Sequence, residues 1–203
     1  ILKDNDYDII QQISAIKKPL IWIHLDYIRN LRRWESFGSR SSTELNQDYL
    51  YLTLRSIINN CNNDFHIILI DDDSFKNLLP NWRIDMNKVG NIQKDNLRSL
   101  ALVKILYNYG GLLIEPSFIL FKSLIKVYNL IKTINKPFVG EFLNESVNSN
   151  KMNIVPSMKL LGCVKNCKYI HELEVYLEML INNDNTLSSK FEGEINNWIF
   201  NKV

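Results

Sequence analysis

The chain has 203 residues, of which 46% are hydrophobic and 23% charged, and its formal net charge is +2. This composition is typical of a globular protein with a sizeable core, and it excludes full disorder, collagen and long coiled coils. The positive charge is too small for a protein that neutralises a phosphate backbone, so we expect no nucleic-acid partner. The length favours a single domain over residues 1–203, in which residues 1–18 form a lead-in segment.

The apolar runs of the sequence are far shorter than the roughly 20 residues that cross a bilayer. We therefore expect no transmembrane segment in these residues, although an anchor upstream of Ile1 is not excluded. The three cysteines are Cys61, Cys163 and Cys167. Their odd number and their spacing favour reduced, partly buried thiols over a zinc site or a disulfide.

Two buried strands are predicted in the first seventy residues. Residues 20–25 follow a proline and are almost continuously apolar, which is typical of a parallel strand covered on both faces. Residues 65–70 have the same pattern, and they lead into three acids, Asp71–Asp73. The sequence therefore predicts two strands of one parallel sheet.

A basic, Ser-rich segment, residues 29–43, lies between these strands and contains four arginines. Ser41 and Glu44 form a capping-box pattern, which predicts a helix that runs to about Cys61. Arginines beside a helix start can bind an anion. A solvated basic loop is the interpretation that we favour for this segment.

A second helix is predicted from a cap at Asp95 and Asn96 to Tyr109. Gly110–Gly111 ends it, because glycine adopts the positive φ angles of a helix C-terminus. A short strand, residues 112–114, follows.

The rest of the chain alternates in the same way. We predict a helix over residues 124–134, a strand over 137–142, a polar loop over 144–153 and helices over 169–181 and 187–200. Strands that alternate with helices favour an α/β sheet with right-handed crossovers.

Chemically notable side chains follow three of the predicted strands. They are His24 and Asp26, then Asp71–Asp73, then Glu115 and Ser117. Ligands of α/β proteins bind at the carboxyl ends of the strands, where carboxylates can hold Mg²⁺ or Mn²⁺ together with a diphosphate. The alternative is that these acids only solvate the loops.

The segment 95–117 begins Asp95-Asn-Leu-Arg98, contains Leu106-Tyr-Asn-Tyr-Gly110-Gly111 and ends Glu115-Pro-Ser117. It resembles the core motif of the DXD-containing sugar transferases, which include initiating mannosyltransferases, capsular-polysaccharide transferases and large clostridial glucosylating toxins. That motif is a helix that begins Asp-x-x-Arg and ends Leu-Tyr-x-Tyr-Gly-Gly, followed by a strand that leads into Asp-x-Asp. Residues 18–24, Lys-Pro-Leu-Ile-Trp-Ile-His, are similar to the first strand of the family. The resemblance covers about residues 18–125.

The chain departs from the motif in two places. The Asp-x-Asp falls on Glu115 and Ser117, and a serine is a poor metal ligand. The Asp-x-x-Arg falls on Ser99 and Leu102, whereas a true Asp-x-x-Arg occurs one helical turn earlier, about 6 Å away. Either the register shifts, or the donor site is altered, or it is inactive.

The resemblance implies a nucleotide-sugar transferase (GT-A-like) α/β fold with a central, mostly parallel sheet. It implies transfer of a hexose from a nucleotide sugar to a hydroxyl of a glycan or protein. Glu115 and Asp73 would be the catalytic and metal-binding residues, with Mn²⁺ or Mg²⁺ held weakly. The implied donor-binding residues are Trp22, which would stack on the base with an accessible ring face, and His24, Asp71, Asp72, Asp95, Arg98, Gly110, Gly111 and Ser117. We also expect one of the acids Asp71–Asp73 to lie close to Glu115, on neighbouring strands.

The rival hypothesis is a catalytically inactive protein on the same fold that binds a glycan or a partner or serves as a virion component. The chain has 26 Asn, 26 Ile and only two Ala, which indicates an A/T-rich genome such as that of a large DNA virus. The expected location is the cytoplasm or a virion.

Overall fold

The computed structural model describes residues 6–26, 48–143, 154–183 and 188–202. The strands are β1 (Leu20–His24), β2 (His66–Ile70), β3 (Gly111–Ile114), β4 (Phe138–Leu143) and β5 (Ile154–Cys163). The α-helices are α1 (Asp6–Ala15), α2 (Asp48–Cys61), α3 (Phe75–Leu78), α4 (Asn91–Tyr109), α5 (Ile125–Ile134), α6 (Lys168–Asn182) and α7 (Ser188–Lys202). Short 3₁₀ turns occupy Asp72–Ser74 and Met86–Lys88.

The strands form one sheet in the order β2-β1-β3-β5-β4. β1 is parallel to both β2 and β3, β5 is antiparallel to β3, and β4 is antiparallel to β5. Four of these five strands therefore run in the same direction. The predicted α/β class with a central, mostly parallel sheet is confirmed for the described residues.

Helices cover both faces of the sheet because the side chains of β1 alternate between two cores. Trp22 belongs to a core shared with α4, α6 and α7. Ile21 and Ile23 point to the opposite core, which contains Ile57 of α2 and Ile131 of α5. This alternation follows from the two-residue period of a strand, and the burial on both faces explains the continuous apolar run.

The helix α4 starts earlier than predicted. It begins at Asn91, with Gly90 as the N-cap, so Asp95 and Asn96 lie inside the helix rather than at its cap. Its predicted end is confirmed, since Gly110 caps it with a φ of 69°. The earlier start places Asp95 and Arg98 on a continuous helix whose carboxyl end leads directly into β3.

Two predicted features lie outside the described residues. These are the capping box at residues 41–44, with the basic segment before it, and the polar loop over 144–153. The helix that follows the capping box is described from Asp48 and ends at Cys61, as predicted. In the part of the chain that the structure describes, no helix is long and apolar enough to span a membrane.

Candidate functional site

A cleft of about 350 Å³ opens at the carboxyl ends of β1 and β3. Its walls come from five elements: the end of β1, α4, the end of β3, β5 and α7. The residues that line it are His24, Asp26, Asp95, Arg98, Ser99, Leu102, Leu113, Ile114, Glu115, Pro116, Ser157, Met158, Lys159, Glu192, Ile195 and Asn196. The cleft lies where ligands of open α/β sheets bind.

Arg98 is the centre of an ion-pair network at this cleft. Its Nε and Nη2 donate to Oδ1 and Oδ2 of Asp72, at 2.8 and 2.7 Å. Its Nη1 and Nη2 donate to the two oxygens of Asp26, both at 2.9 Å, and Nη1 also donates to Oδ1 of Asp95 at 3.0 Å. The planar guanidinium suits such paired contacts, so one side chain orients three carboxylates.

The sequence explains how these groups meet. Asp26 follows β1 and Asp72 follows β2, and these strands are parallel neighbours, so both acids are at the same edge of the sheet. Asp95 and Arg98 are three residues apart on α4 and share a helix face. Lys94 is four residues before Arg98, on that same face, and its Nζ contacts Oδ2 of Asp72 at 3.1 Å.

Asp72 is the most strongly paired acid of the network. Burial alone would raise its pKa, but hydrogen bonds from Arg98 and Lys94 outweigh burial and lower the pKa to about 2. The hydrogen bonds to Asp72 in turn raise the pKa of Arg98. Both groups are therefore charged throughout the neutral pH range.

His24 is held between an acid and an aromatic ring. Its Nε2 is 3.0 Å from Oδ1 of Asp72, and its ring stacks on Phe75 with a centroid distance of 5.5 Å. Burial lowers the pKa of His24, and the nearby Asp72 carboxylate only partly opposes this. His24 is therefore neutral at pH 7 and contributes a polar, uncharged wall to the cleft.

The structure brings together four of the predicted donor-binding residues. His24, Asp72, Asp95 and Arg98 form one connected network. Glu115 lines the same cleft from the end of β3. Ser117 donates to Oε2 of Glu115 at 3.0 Å, so it contacts this carboxylate without lining the cleft itself.

The prediction that Trp22 stacks on a base is wrong. Trp22 is completely buried, its Nε1 donates to the carbonyl oxygen of Gly110 at 2.9 Å, and its ring lies 5.5 Å from that of Tyr109. Both sides of β1 are covered by core residues, which leaves no accessible ring face. Trp22 is a core residue that joins β1 to the end of α4.

The prediction that Gly110 and Gly111 bind the donor is also wrong. Both are buried at the amino end of β3, the end opposite to Glu115. A Cβ at Gly110 would lie 2.6 Å from the backbone nitrogen of Lys165, and one at Gly111 would lie 2.5 Å from the carbonyl oxygen of Leu20. Both glycines, at φ of 69° and 107°, are required for the turn and the close packing there.

The other two acids that follow β2, Asp71 and Asp73, do not take part in the Arg98 network. Asp71 caps the 3₁₀ turn by accepting from the backbone nitrogen of Ser74 at 2.9 Å and from its Oγ at 2.6 Å. Asp73 is exposed and is not among the residues that line the cleft. The expectation that these acids and Glu115 follow neighbouring strands is wrong, because β1 lies between β2 and β3. The ends of β2 and β3 are thus separated by two strand spacings, roughly 10 Å.

The described residues do not fit a divalent cation held by side chains alone. Oε2 of Glu115 accepts from Ser117 and lies 3.5 Å from Nζ of Lys159, so its nearest charged neighbour is a cation. Within the described ranges, no group of three or more His, Cys, Asp or Glu side chains is arranged to hold a metal ion.

Several residues of the cleft and of the Arg98 network were not predicted to have a role. Asp26 was named only as an acid that follows the first strand. Lys94 lies four residues before Arg98 on α4, and this spacing could have indicated that both side chains share one helix face. Lys159 is in β5, a strand that the sequence pattern did not predict. Glu192 and Asn196 come from α7, and no local pattern connects that helix to the cleft.

The chain matches no protein-family model and no curated protein. Among the solved structures, a similar chain is the "PaToxG Glycosyltransferase", which is 12% identical, with a TM-score of 0.48. The similarity covers 98% of this chain and 77% of that one. The structure itself shows a mixed α/β architecture with mostly parallel central strands.

Proposed function

We propose that this chain is a glycosyltransferase-like protein that binds a nucleotide sugar in the cleft and transfers its hexose to a hydroxyl of a glycan or protein. The observation that carries this proposal is the network in which Arg98 fixes Asp26, Asp72 and Asp95 at the carboxyl ends of parallel strands. A network of this kind orients acceptor oxygens before a ligand arrives.

The carboxylates at the mouth of the cleft have acceptor capacity left for sugar hydroxyls. An ionised carboxylate offers about four lone-pair sites. Arg98 uses one oxygen of Asp95, and the side chain of Asp95 is 67% exposed. Asp26 is 42% exposed, whereas Asp72 is 15% exposed and acts as the buried support of the network. Asp95 and Asp26 are therefore the side chains that we propose to bind the ribose or hexose.

The walls of the cleft suit the other parts of such a ligand. Apolar side chains from α4, β3, β5 and α7 form part of the wall, and they are Leu102, Leu113, Met158 and Ile195. A sugar ring or a base can pack on this surface while its polar groups face the carboxylates. The volume of about 350 Å³ lies at the lower end of the range for small-molecule sites.

We propose that Lys159 faces the diphosphate of the donor. Its ammonium lines the cleft beside Glu115, and its side chain is 54% exposed. A fixed cation at this position would stabilise the negative charge that develops on the leaving diphosphate. With Ser117 in place of a second carboxylate, Mn²⁺ or Mg²⁺ would be held weakly. Glu115 remains the acid that we propose at the reacting end of the cleft.

A second candidate function is glycan binding without catalysis. It is favoured by the pairing of Glu115 with Lys159, because the two acids of the motif fall on Glu115 and Ser117, and the one acid that this chain keeps there pairs with a cation. Binding of a donor without release of its sugar would support this alternative.

Calorimetric titration with UDP- and GDP-sugars, with and without Mn²⁺, tests the proposal. We expect the wild type to bind at least one donor, and Asp95→Ala to weaken binding by about tenfold or more, since a hydrogen bond to a charged group is lost. Arg55→Ala is the matched control, because Arg55 is an exposed residue of α2 outside the cleft. The proposal fails if no nucleotide sugar binds to the wild type, or if Asp95→Ala binds as tightly as Arg55→Ala.

A further inference from the structure

We propose that a second binding site lies at the amino ends of the parallel strands, opposite to the cleft. This site accepts a phosphate group of a small ligand. A cavity of about 270 Å³, here named the lysine cavity, is formed by the end of α1, the start of β1, the end of α4, α5 and the turn between β5 and α6. Four lysines and two tyrosines are among its lining residues: Lys17, Lys18, Lys132, Lys165, Tyr109 and Tyr128.

The lysine cavity is separate from the cleft. Leu20 is the first residue of β1 and Tyr109 the last of α4, so the cavity lies at the amino end of the parallel strands. The cleft lies at their carboxyl end, and the two sets of lining residues have no member in common. A ligand can therefore occupy one site without contacting the other.

The charges of the two sites are opposite. The four lysines give the lysine cavity a formal charge of +4, and no acid is among its lining residues. The cleft is lined by four acids and two bases, so its formal charge is −2 with His24 neutral. The formal charge of the whole chain is +2, so the lining of the lysine cavity is more positive than the chain as a whole. An anion is therefore attracted to the lysine cavity.

The four lysines of this cavity are exposed and have few protein partners among the described residues. Nζ of Lys18 donates to the carbonyl oxygen of Asn62 at 3.1 Å, which leaves two of its three donors. Within the described ranges, no carboxylate forms an ion pair with Lys17, Lys18, Lys132 or Lys165. Lys132 is in the last turn of α5, where a cation also stabilises the helix dipole, but this accounts for only one of the four.

The shape of the site favours a compact anion. Tyr109 and Tyr128 are partly buried, and Pro19 and Leu20 line the cavity with them. Exposed lysines on three separate segments line this concave space, and a phosphate or pyrophosphate group can accept hydrogen bonds from more than one of them. Since Lys–phosphate contacts are charge-assisted, we expect binding that weakens as salt increases.

Calorimetric titration with inorganic pyrophosphate, at fixed ionic strength, tests this proposal on the full chain. We expect binding by the wild type and a loss of about tenfold or more in the double variant Lys132→Ala/Lys165→Ala. Lys76→Ala/Lys122→Ala is the matched control, because it removes the same charge from exposed positions outside the cavity. A double change to Gln at Lys132 and Lys165 repeats the test with side chains that keep most of their length.

Two further arms identify the site and the source of the phosphate. Lys159→Met removes the cation that we propose to face a diphosphate in the cleft, and it should bind pyrophosphate at the lysine cavity as the wild type does, which separates this proposal from the proposed function of the cleft. Vesicles with an anionic phospholipid, compared with neutral phosphatidylcholine vesicles, distinguish a lipid headgroup from a free phosphate compound. Binding to anionic vesicles that is lost in the Lys132/Lys165 variants supports a headgroup, and binding of pyrophosphate alone supports a soluble ligand. Failure of the wild type to bind either probe, or equal binding by the Lys132/Lys165 and control variants, would overturn the proposal.

Discussion

Arg98 binds Asp72 through two parallel hydrogen bonds, Nε to Oδ1 at 2.8 Å and Nη2 to Oδ2 at 2.7 Å. The two side chains are only 13% and 15% exposed. The pair joins the turn after β2 to α4, and the same guanidinium extends to Asp26 and Asp95. Arg98 therefore links the buried Asp72 to the two more exposed carboxylates of the cleft, those of Asp26 and Asp95.

Removal of this guanidinium should destabilise the fold. Arg98→Ala leaves Asp72 largely buried with only Lys94 and His24 as partners, and we expect a loss of roughly 1–3 kcal/mol in the free energy of unfolding. The control Arg55→Ala should change it by about 0.5 kcal/mol or less, since Arg55 is exposed on α2. Urea unfolding measures both. Equal stability of the two variants would show that the network does not support the fold.

The low pKa of Asp72 predicts a specific dependence of stability on pH. Its pKa is about 2 in the folded chain, below the ordinary value near 4 of an unfolded chain. A lowered carboxyl pKa gives stability that is fully present above about pH 4 and is lost as the pH falls towards 2. Asp72→Asn should remove this contribution, so the difference in unfolding free energy between wild type and variant should shrink between pH 5 and about 2. A difference that stays constant over this range contradicts the assigned pairing.

Donor binding should depend on Lys159 more than on a metal ion. We expect the affinity for a nucleotide sugar to change by less than about threefold when EDTA replaces Mn²⁺, because the described residues do not fit a metal centre. Lys159→Met should weaken binding by about tenfold. The exposed Lys122→Met is the control.

Calorimetry with manganese and nucleotide can also contradict this prediction. Tight manganese binding that disappears in Glu115→Ala would show that a working metal centre survives around Glu115. In that case Lys159 would not be the main cation of the cleft.

Gly111 should be required for the fold rather than for ligand binding. Gly111→Ala forces a Cβ to within 2.5 Å of the carbonyl oxygen of Leu20 at a φ of 107°, and we expect it to cost about 1–3 kcal/mol of unfolding free energy. A Cβ at Gly193 in α7 would have no other atom within 4 Å, so Gly193→Ala should stabilise by about 0.5–1 kcal/mol. Chemical denaturation compares the two variants. A Gly111→Ala variant as stable as the wild type would contradict the structural role.

The sequence predicted the positions of helices and strands better than it predicted which strands pair and which side chains are accessible. The continuous apolar run of β1 indicated burial on both faces, and the same pattern leaves no room for an accessible Trp22. The base-stacking role came from the family resemblance and conflicted with that local pattern. In the structure, every side chain of β1 is buried except the partly buried His24, so the local pattern was the correct guide and the base-stacking role was not.

Long-range pairing accounts for the other differences. Nothing local in β1 and β2 shows that β1 lies between β2 and β3, so the distance from Asp73 to Glu115 was misjudged. β5 was missed because Pro156 and Gly162 interrupt its pattern. By contrast, Asp95 and Arg98 were found because their spacing on a helix is a local property.

The release of nucleoside diphosphate from UDP- and GDP-sugars, in the presence of the chain and a mixture of glycan acceptors, is the most direct measurement. We predict release by the wild type and by Arg55→Ala, and strongly reduced release by Asp95→Ala and Lys159→Met. Release that is equal in all four proteins would contradict a reaction in this cleft. Binding of donors by the wild type without any release would show that the chain binds the sugar donor and does not transfer its sugar.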